Sequence, residues 1–192
     1  MVAILRAADR RAVPWKNGGG LTREVAAHPP QSDLGNFDWR VSLAEVHRGG
    51  PFSSFPGIDR HMAVISGRLE LSISGRGALS LSADAAPLSF PGEVPVYSEP
   101  HAQPATDLNV MTRRGRFVAR LTRCSVAAST QVGLEADTTL LLALAPLTLC
   151  AASVDANLSA LDAARFRANA ETLIVHSLAA GGAFWLIEIR TA

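Results

Sequence analysis

The chain has 192 residues, 48% of them hydrophobic and 18% charged, with a formal net charge of +1. That length can bury a substantial core without staples, and that balance excludes a disordered chain. It also excludes the basic stripe of a nucleic-acid binder and the charge of an acidic tail, leaving a small, nearly neutral partner.

The two cysteines, Cys124 and Cys150, lie in apolar surroundings without C-x-x-C spacing. They read as small buried hydrophobes in a reducing compartment. The stretch Met1 to Arg11 breaks into charge after one short apolar patch, so it lacks the apolar core of a secretory signal and a cytoplasmic location is expected. The longest apolar run, Leu140 to Ala152, is too short for a membrane span and is interrupted by Pro146. It predicts a buried strand pair joined by a turn, and no membrane association.

In chain order, the first informative stretch is Pro14 to Glu24, which crowds an indole, an amine, an amide, a hydroxyl and an ion pair around Gly18, Gly19 and Gly20. Three consecutive glycines supply no packing, so an ordered segment here implies close backbone approach or positive φ; the alternative is a flexible loop leading into a strand. Leu21 to Ala26 then alternates at period two, and His28 to Asp33 closes it with turn formers. Phe37 to Val46 alternates again, with Phe37, Trp39, Val41 and Leu43 on one face and Asp38, Arg40, Ser42 and Ala44 on the other.

The connection Gly49 to Arg60 is rich in turn residues, and its two phenylalanines, Phe52 and Phe55, are too large to leave in solvent and are expected to line or cap a cavity. His61 to Ser74 reads as a hairpin hinged near Ser66-Gly67. Further strands are predicted at 78–82, 88–90, 107–116, 117–125, 138–144, 147–151, 172–177 and 183–190. Helical character is confined to a turn or two within Leu158 to Arg167. Many short strands with turn signals between them predict an all-β sandwich or barrel, in agreement with 15 glycines and 11 prolines.

A catalytic metal needs about three convergent ligands, and the five histidines, at 28, 47, 61, 101 and 176, never form H-x-H or H-x-x-x-H. No metal and no cofactor is expected. No nucleophile elbow is present, neither cysteine neighbours a histidine, and the glycine run opens a strand pattern where a phosphate loop would open a helix. The cluster Arg113, Arg114, Arg116, Arg120 and Arg123 carries one aromatic, Phe117, and reads as a solvated strand face. What remains is a polar set, Lys16, Asn17, Thr22, Arg23, Arg40, Ser42, Arg60 and Asn109, with Trp15, Trp39 and Phe55. Arginine and asparagine offer forked, directional hydrogen bonds and indoles stack on planar groups, so a small anionic or planar metabolite is the expected guest. Charged rims and aromatic core packing would use the same residues.

At these positions the sequence resembles the HutD/Ves family of bacterial cupins. The resemblance rests on Trp15-Lys16-Asn17-Gly18-Gly19-Gly20-x-Thr22-Arg23-Glu24, Trp39-Arg40-x-Ser42, Gly50-Pro51-Phe52-Ser53-x-Phe55-Pro56-Gly57-x-Asp59-Arg60, Pro91-Gly92 and Asp107-x-Asn109-x-Met111-x-x-Arg114-Gly115. It runs from about residue 13 to residue 116; beyond that the chain matches only as strand-rich sequence. The resemblance implies an all-β bicupin with very little helix, its barrels spanning roughly 13–112 and 113–192 with strand exchange between them. It also implies an association with histidine utilisation, in a regulatory or auxiliary role, and a ligand of the urocanate or N-formylglutamate class. His61-Met62-Ala63 stands where metal-binding cupins carry a histidine pair, and Pro91 to Val96 supplies no second histidine, which argues against metal chemistry.

The reading that follows is a metal-free cupin binding a small carboxylate metabolite. Its candidate ligand-binding residues are Trp15, Lys16, Asn17, Thr22, Arg40, Ser42, Phe55, Arg60 and Asn109, with Arg40 and Arg60 as anion clamps and Trp15 and Asn17 fixing orientation. No catalytic residue is assigned and no nucleic-acid partner is expected. The alternatives are a metal-independent isomerase or hydrolase using Glu24, His61 or Glu93, and a protein-interaction module. Homodimerisation through an exposed sheet edge fits the strand-rich pattern.

Overall fold

Alternation at period two governs the whole chain. The computed structural model describes residues 2–168 and 171–192. In order, the chain forms β1 (Val2–Leu5), a 3₁₀ turn (Ala7–Asp9), β2 (Ala12–Pro14), β3 (Gly20–His28), β4 (Trp39–Val46), β5 (Gly50–Pro51), β6 (Ile58–Ser66), β7 (Arg68–Ile73), β8 (Gly77–Ser82), β9 (Leu88–Pro91), β10 (Val96–Pro100) and β11 (Ala105–Arg113). There follow β12 (Phe117–Val126), β13 (Ser129–Gly133), β14 (Thr138–Ala143), β15 (Leu147–Ala151), β16 (Val154–Leu158), β17 (Ala163–Arg167), β18 (Thr172–Ser177) and β19 (Gly182–Thr191).

Two units divide these strands: Arg10–Phe117, and Met1–Asp9 with Val118–Ala192. The first holds a six-stranded sheet in the order β2-β3-β4-β11-β6-β9 and a four-stranded sheet in the order β5-β10-β7-β8. Its apolar core lies between them, drawing Val46, Met62, Val64 and Phe90 from one sheet and Leu69, Leu71, Ile73 and Val96 from the other. The second unit repeats the plan with β1-β17-β14-β19-β12 and β13-β18-β15-β16. Leu141, Ala143, Phe166 and Phe184 there pack against Val132, Leu149, Leu173 and Val175.

Four local expectations are corrected. Ser66-Gly67 is not a hairpin hinge: β6 pairs with β11 and β9, while β7 pairs with β10 and β8 in the other sheet. Gly67 is the corner between sheets, at φ 76°, where a Cβ would lie 2.9 Å from the Ala105 Cα. The run Leu140 to Ala152 does form two strands around Pro146, but β14 and β15 likewise enter different sheets. Alternation reports which face a side chain takes and is silent on which strand lies alongside.

Leu158 to Arg167 is not helical. It holds the end of β16, a turn fastened by Asp162, and β17, which pairs with β1 and β14. The N-terminal apolar patch, not recognised as a strand from sequence, is the β1 that completes this sheet. Cys124 and Cys150 are free but half-buried, so neither is the fully buried hydrophobe expected.

Candidate functional site

The site is a consequence of register on the six-stranded sheet. Across β4, β11 and β6, Arg40 lies opposite Met111 and Met111 opposite Arg60. The next row aligns Glu24, Ser42, Asn109 and Met62, and the row beyond aligns Thr22, Ala44, Asp107 and Val64. Because side chains alternate faces, these three rows share one surface. They form the wall of a cavity of about 760 Å³ within the first unit.

The glycine run, by close backbone approach, holds in place the Trp15–Asn17 segment that lines one rim of that cavity. Gly19 O accepts hydrogen bonds from His47 N at 2.8 Å and Arg48 N at 3.0 Å, and Gly20 O accepts from Trp15 N at 2.9 Å. A Cβ on Gly20 would collide with the Glu45 carbonyl oxygen, which is why a side chain is not tolerated there. Asn17 Oδ1 accepts from Gly19 N at 2.9 Å, and Trp15 Nε1 donates to Thr22 Oγ1 at 2.8 Å. The indole N–H is therefore already satisfied, and the ring offers its surface to the cavity.

At the base, Arg60 is 6% exposed and its guanidinium carbon stands 4.8, 5.2 and 5.9 Å from the ring centroids of Phe52, Phe90 and Phe55. Three aromatic faces thus compensate part of the lost hydration of the cation. Arg60 Nε and Nη2 both donate to Asn109 Oδ1, at 3.2 and 2.7 Å. Asn109 Nδ2 in turn donates to Asp107 Oδ1 at 2.5 Å. Those partners fix the orientation of the Asn109 amide, since only its oxygen can accept from arginine and only its nitrogen can give to a carboxylate.

Asp107 is 1% exposed, and among the described residues its Oδ2 has no hydrogen-bond partner. Burial pushes its carboxyl up to about 7, against the opposing pull of Arg60 and of the Asn109 hydrogen bond. Burial likewise lowers Arg60 to about 10, with Asp107 opposing, so the guanidinium stays charged at neutral pH. Among the described residues Arg60 Nη1 has no hydrogen-bond partner and it is not sealed from solvent, so it is the donor left to face the cavity. Higher on the wall, Arg40 Nε donates to Glu24 Oε2 at 2.8 Å and its Nη1 to Ser42 Oγ at 3.3 Å.

The nine candidate ligand-binding residues, Trp15, Lys16, Asn17, Thr22, Arg40, Ser42, Phe55, Arg60 and Asn109, all line this cavity, and so does Phe52, whereas Arg23, paired with Glu45, and Trp39, stacked on His28, lie outside it. Sequence reasoning gave Asp107 no role, although it completes the buried relay. Its spacing of two from Asn109 on one strand was the available signal. Of the alternative acid–base groups, Glu24 lines the cavity but is paired with Arg40. His61 projects from the other face of β6, its Nδ1 2.7 Å from Ser89 Oγ, and exposed Glu93 is held by Arg114. Of the arginine cluster, Arg114 bridges Asp59 and Glu93, while Arg113 and Arg116 both reach Asp38.

Among the described residues no histidine or cysteine lines the cavity, and of its three carboxylates Glu24 is engaged by Arg40, Asp107 by Asn109 and Asp33 by the Gly35 N–H. This donor set does not suit a bound metal ion. Among the described residues, no group of three or more His, Cys, Asp or Glu is placed to hold one.

The sequence model of the HutD family matches residues 7–184. The chain belongs to the HutD family. Two curated relatives of this HutD-family protein are the protein Ves of Cronobacter sakazakii and a 21.2 kDa uncharacterised protein from the hutC 3' region of Pseudomonas putida. The first is 37% identical over 109 residues, covering 56% of this chain and 58% of the relative. The second is 34% identical over 119 residues, covering 62% of each. The chain thus spans about three-fifths of the length of these relatives.

Similarity to solved structures extends over the whole chain. A conserved protein of unknown function, PA5104 from Pseudomonas aeruginosa PAO1, superposes with a TM-score of 0.91 at 27% identity, covering 99% of both chains. HutD from Pseudomonas fluorescens SBW25, in a formate condition, gives a TM-score of 0.83 at 29% identity and covers 100% of both. Oxalate decarboxylase from Bacillus subtilis gives a TM-score of 0.70 at 10% identity, covering 96% of this chain and 76% of its own, which shows the fold alone. The fold is the all-β bicupin that the sequence resemblance implied. No described helix of this HutD-family chain is long and apolar enough to cross a membrane.

Proposed function

We propose that this HutD-family protein binds a small carboxylate metabolite in the cavity of its first unit, as an auxiliary or regulatory component of histidine utilisation. The carrying observation is Arg60: a buried, charged guanidinium, braced by Asn109 and three phenylalanines, with Nη1 uncommitted toward a cavity of about 760 Å³. A desolvated cation with a free forked edge is a carboxylate receptor whose donors are already organised. Lys16 adds positive charge on the rim, Arg40 adds guanidinium donors on the wall although its charge is paired with Glu24, and Trp15 and Phe55 offer flat surfaces to a planar or extended remainder. Urocanate and N-formylglutamate have this chemistry. The hutC-region location of the Pseudomonas putida relative supports the link to histidine utilisation.

A cytoplasmic setting agrees with the two free cysteines. The acidic partners and backbone carbonyls that hold Arg113, Arg114 and Arg116 support the absence of a nucleic-acid surface. Titration calorimetry with urocanate and N-formylglutamate tests the reading. Binding of at least one is expected, weakened about tenfold or more in Arg60→Met, since a charge-assisted hydrogen bond of this kind contributes roughly 1.5–3 kcal/mol. No heat with either compound, or undiminished affinity in the variant, overturns it.

A further inference from the structure

The cation that would receive the carboxylate is not isolated. Beneath it runs a buried relay, Arg60 to Asn109 to Asp107, whose far end is a carboxylate oxygen, Oδ2, with no partner among the described residues. When Asp107 is ionised, relay and cation together are neutral. Adding a second anion beside Arg60 then places two negative charges around one positive charge in a region where all three relay side chains are at most 6% exposed. Two carboxylates that share one cation in low dielectric do not both remain ionised; one takes a proton.

We propose, resting on the carboxylate-binding reading above, that anion binding in this cavity is proton-coupled: a carboxylate docks at Arg60 while Asp107 takes up one proton from solvent on Oδ2. The balance is one proton consumed and no other bond made or broken. The unpaired lone pair of Oδ2 is where the proton goes, and Oδ1 continues to accept from Asn109. Asn109 passes the effect on, because neutralising Asp107 weakens its hold on the amide and leaves Arg60 more positive toward the cavity.

The charged groups around Asp107 come from several elements. Arg60 on β6 acts on it directly. Arg40 on β4 and Glu24 on β3 form an ion pair with each other on the same wall, and Lys16 and Asp33 lie in loops at the cavity lining. Neighbours across the strands at Asp107 itself are the uncharged Ala44 and Val64. Asp107 is therefore the acid that a docked anion perturbs most directly. Its raised affinity for protons before any ligand arrives puts the exchange near neutral pH.

The test uses the full chain and N-formylglutamate, whose carboxylates stay ionised between pH 6 and 8.5. Calorimetry at pH 7 in phosphate and in Tris, which differ in ionisation enthalpy, is expected to give about half a proton taken up per ligand bound. Affinity is expected to fall toward tenfold per pH unit above about 8. In Asp107→Asn, proton uptake disappears and affinity becomes flat over the same range. Heats that agree between buffers, or an unchanged pH slope in the variant, overturn the coupling while leaving carboxylate binding in place. No heat with N-formylglutamate, nor with urocanate put in its place, in either protein overturns both, and the buffer comparison on the unsubstituted protein stands even if the variant does not fold.

Discussion

Replacing Asp107 with asparagine in the ligand-free protein isolates the energetic cost of the buried carboxylate. The side chain is isosteric, keeps an oxygen to accept from Asn109, and is neutral at every pH. In the native protein the carboxyl is pushed from 3.8 to about 7, chiefly by burial. A raised folded-state value means the folded protein binds the proton more tightly, so this contribution is fully present below about 4 and is lost as pH rises through about 7. That gap, at about 1.4 kcal/mol for each tenfold change in proton affinity, is about 4 kcal/mol, an upper bound because water in the cavity can approach the ionised group. Urea unfolding of both proteins at pH 4, 5.5, 7 and 8.5 reads the difference. Measured against the neutral acid, exchanging the carboxyl O–H for an amide N–H₂ shifts the variant by a constant amount, while the gap between the two curves should swing by about 2–4 kcal/mol toward the variant between pH 4 and pH 8.5. A gap that does not change with pH would refute the reasoning.

Two further outcomes follow from single contacts. Gly20→Ala should destabilise the first unit by about 1–3 kcal/mol in urea and also weaken carboxylate binding, because the new methyl meets the Glu45 carbonyl and the Trp15 ring; unchanged stability would show that the rim yields. In the second unit, Asp162 is opposed by burial, but hydrogen bonds from Ala7 N, Arg6 Nη1 and Ser159 N outweigh it and hold the carboxyl below its ordinary value. Asp162→Asn should cost about 1–3 kcal/mol at pH 7, and the deficit should shrink as pH falls through the range where the native carboxylate takes its proton; a deficit that persists unchanged at pH 2.5 would contradict this assignment.

Much of this was legible in the sequence because a β-protein writes its faces at period two. Arg40 and Ser42 were separated from Trp39, Val41 and Leu43 by alternation alone, and the structure keeps them apart. Trp15 to Glu24 stood out because glycines without packing value sat among groups rich in hydrogen-bonding chemistry, and close backbone approach explains why. What alternation does not encode is the neighbour. Asn109 and Arg60 are separated by 49 positions yet share a hydrogen bond, and β6 leaves Gly67 for a different sheet instead of folding back on β7. Asp107 escaped notice because a carboxylate on a strand normally faces water. Nothing local announces that its row, flanked by Val64 and Ala44, faces the interior.

The two units fill the same architecture in different ways. In the second, the side chains packed between the sheets are chiefly apolar: Val132, Leu141, Leu149, Phe166, Leu173, Val175 and Phe184 are all buried, with Thr139 a polar exception on the face of Leu141. Such filling yields packing energy and leaves no directional chemistry. The first unit confines equivalent apolar filling to one part of its interior, around Leu69, Leu71 and Ile73. The remainder is given to a buried cation, amide and carboxylate in a line. A buried ion pair joined through an amide is a poor stabiliser, since desolvation of both charges offsets most of their attraction. The arrangement makes physical sense as a site: Arg60 retains an uncommitted donor, and Asp107 retains an uncommitted lone pair, so an arriving anion and a proton can each be accommodated without rearranging the sheet.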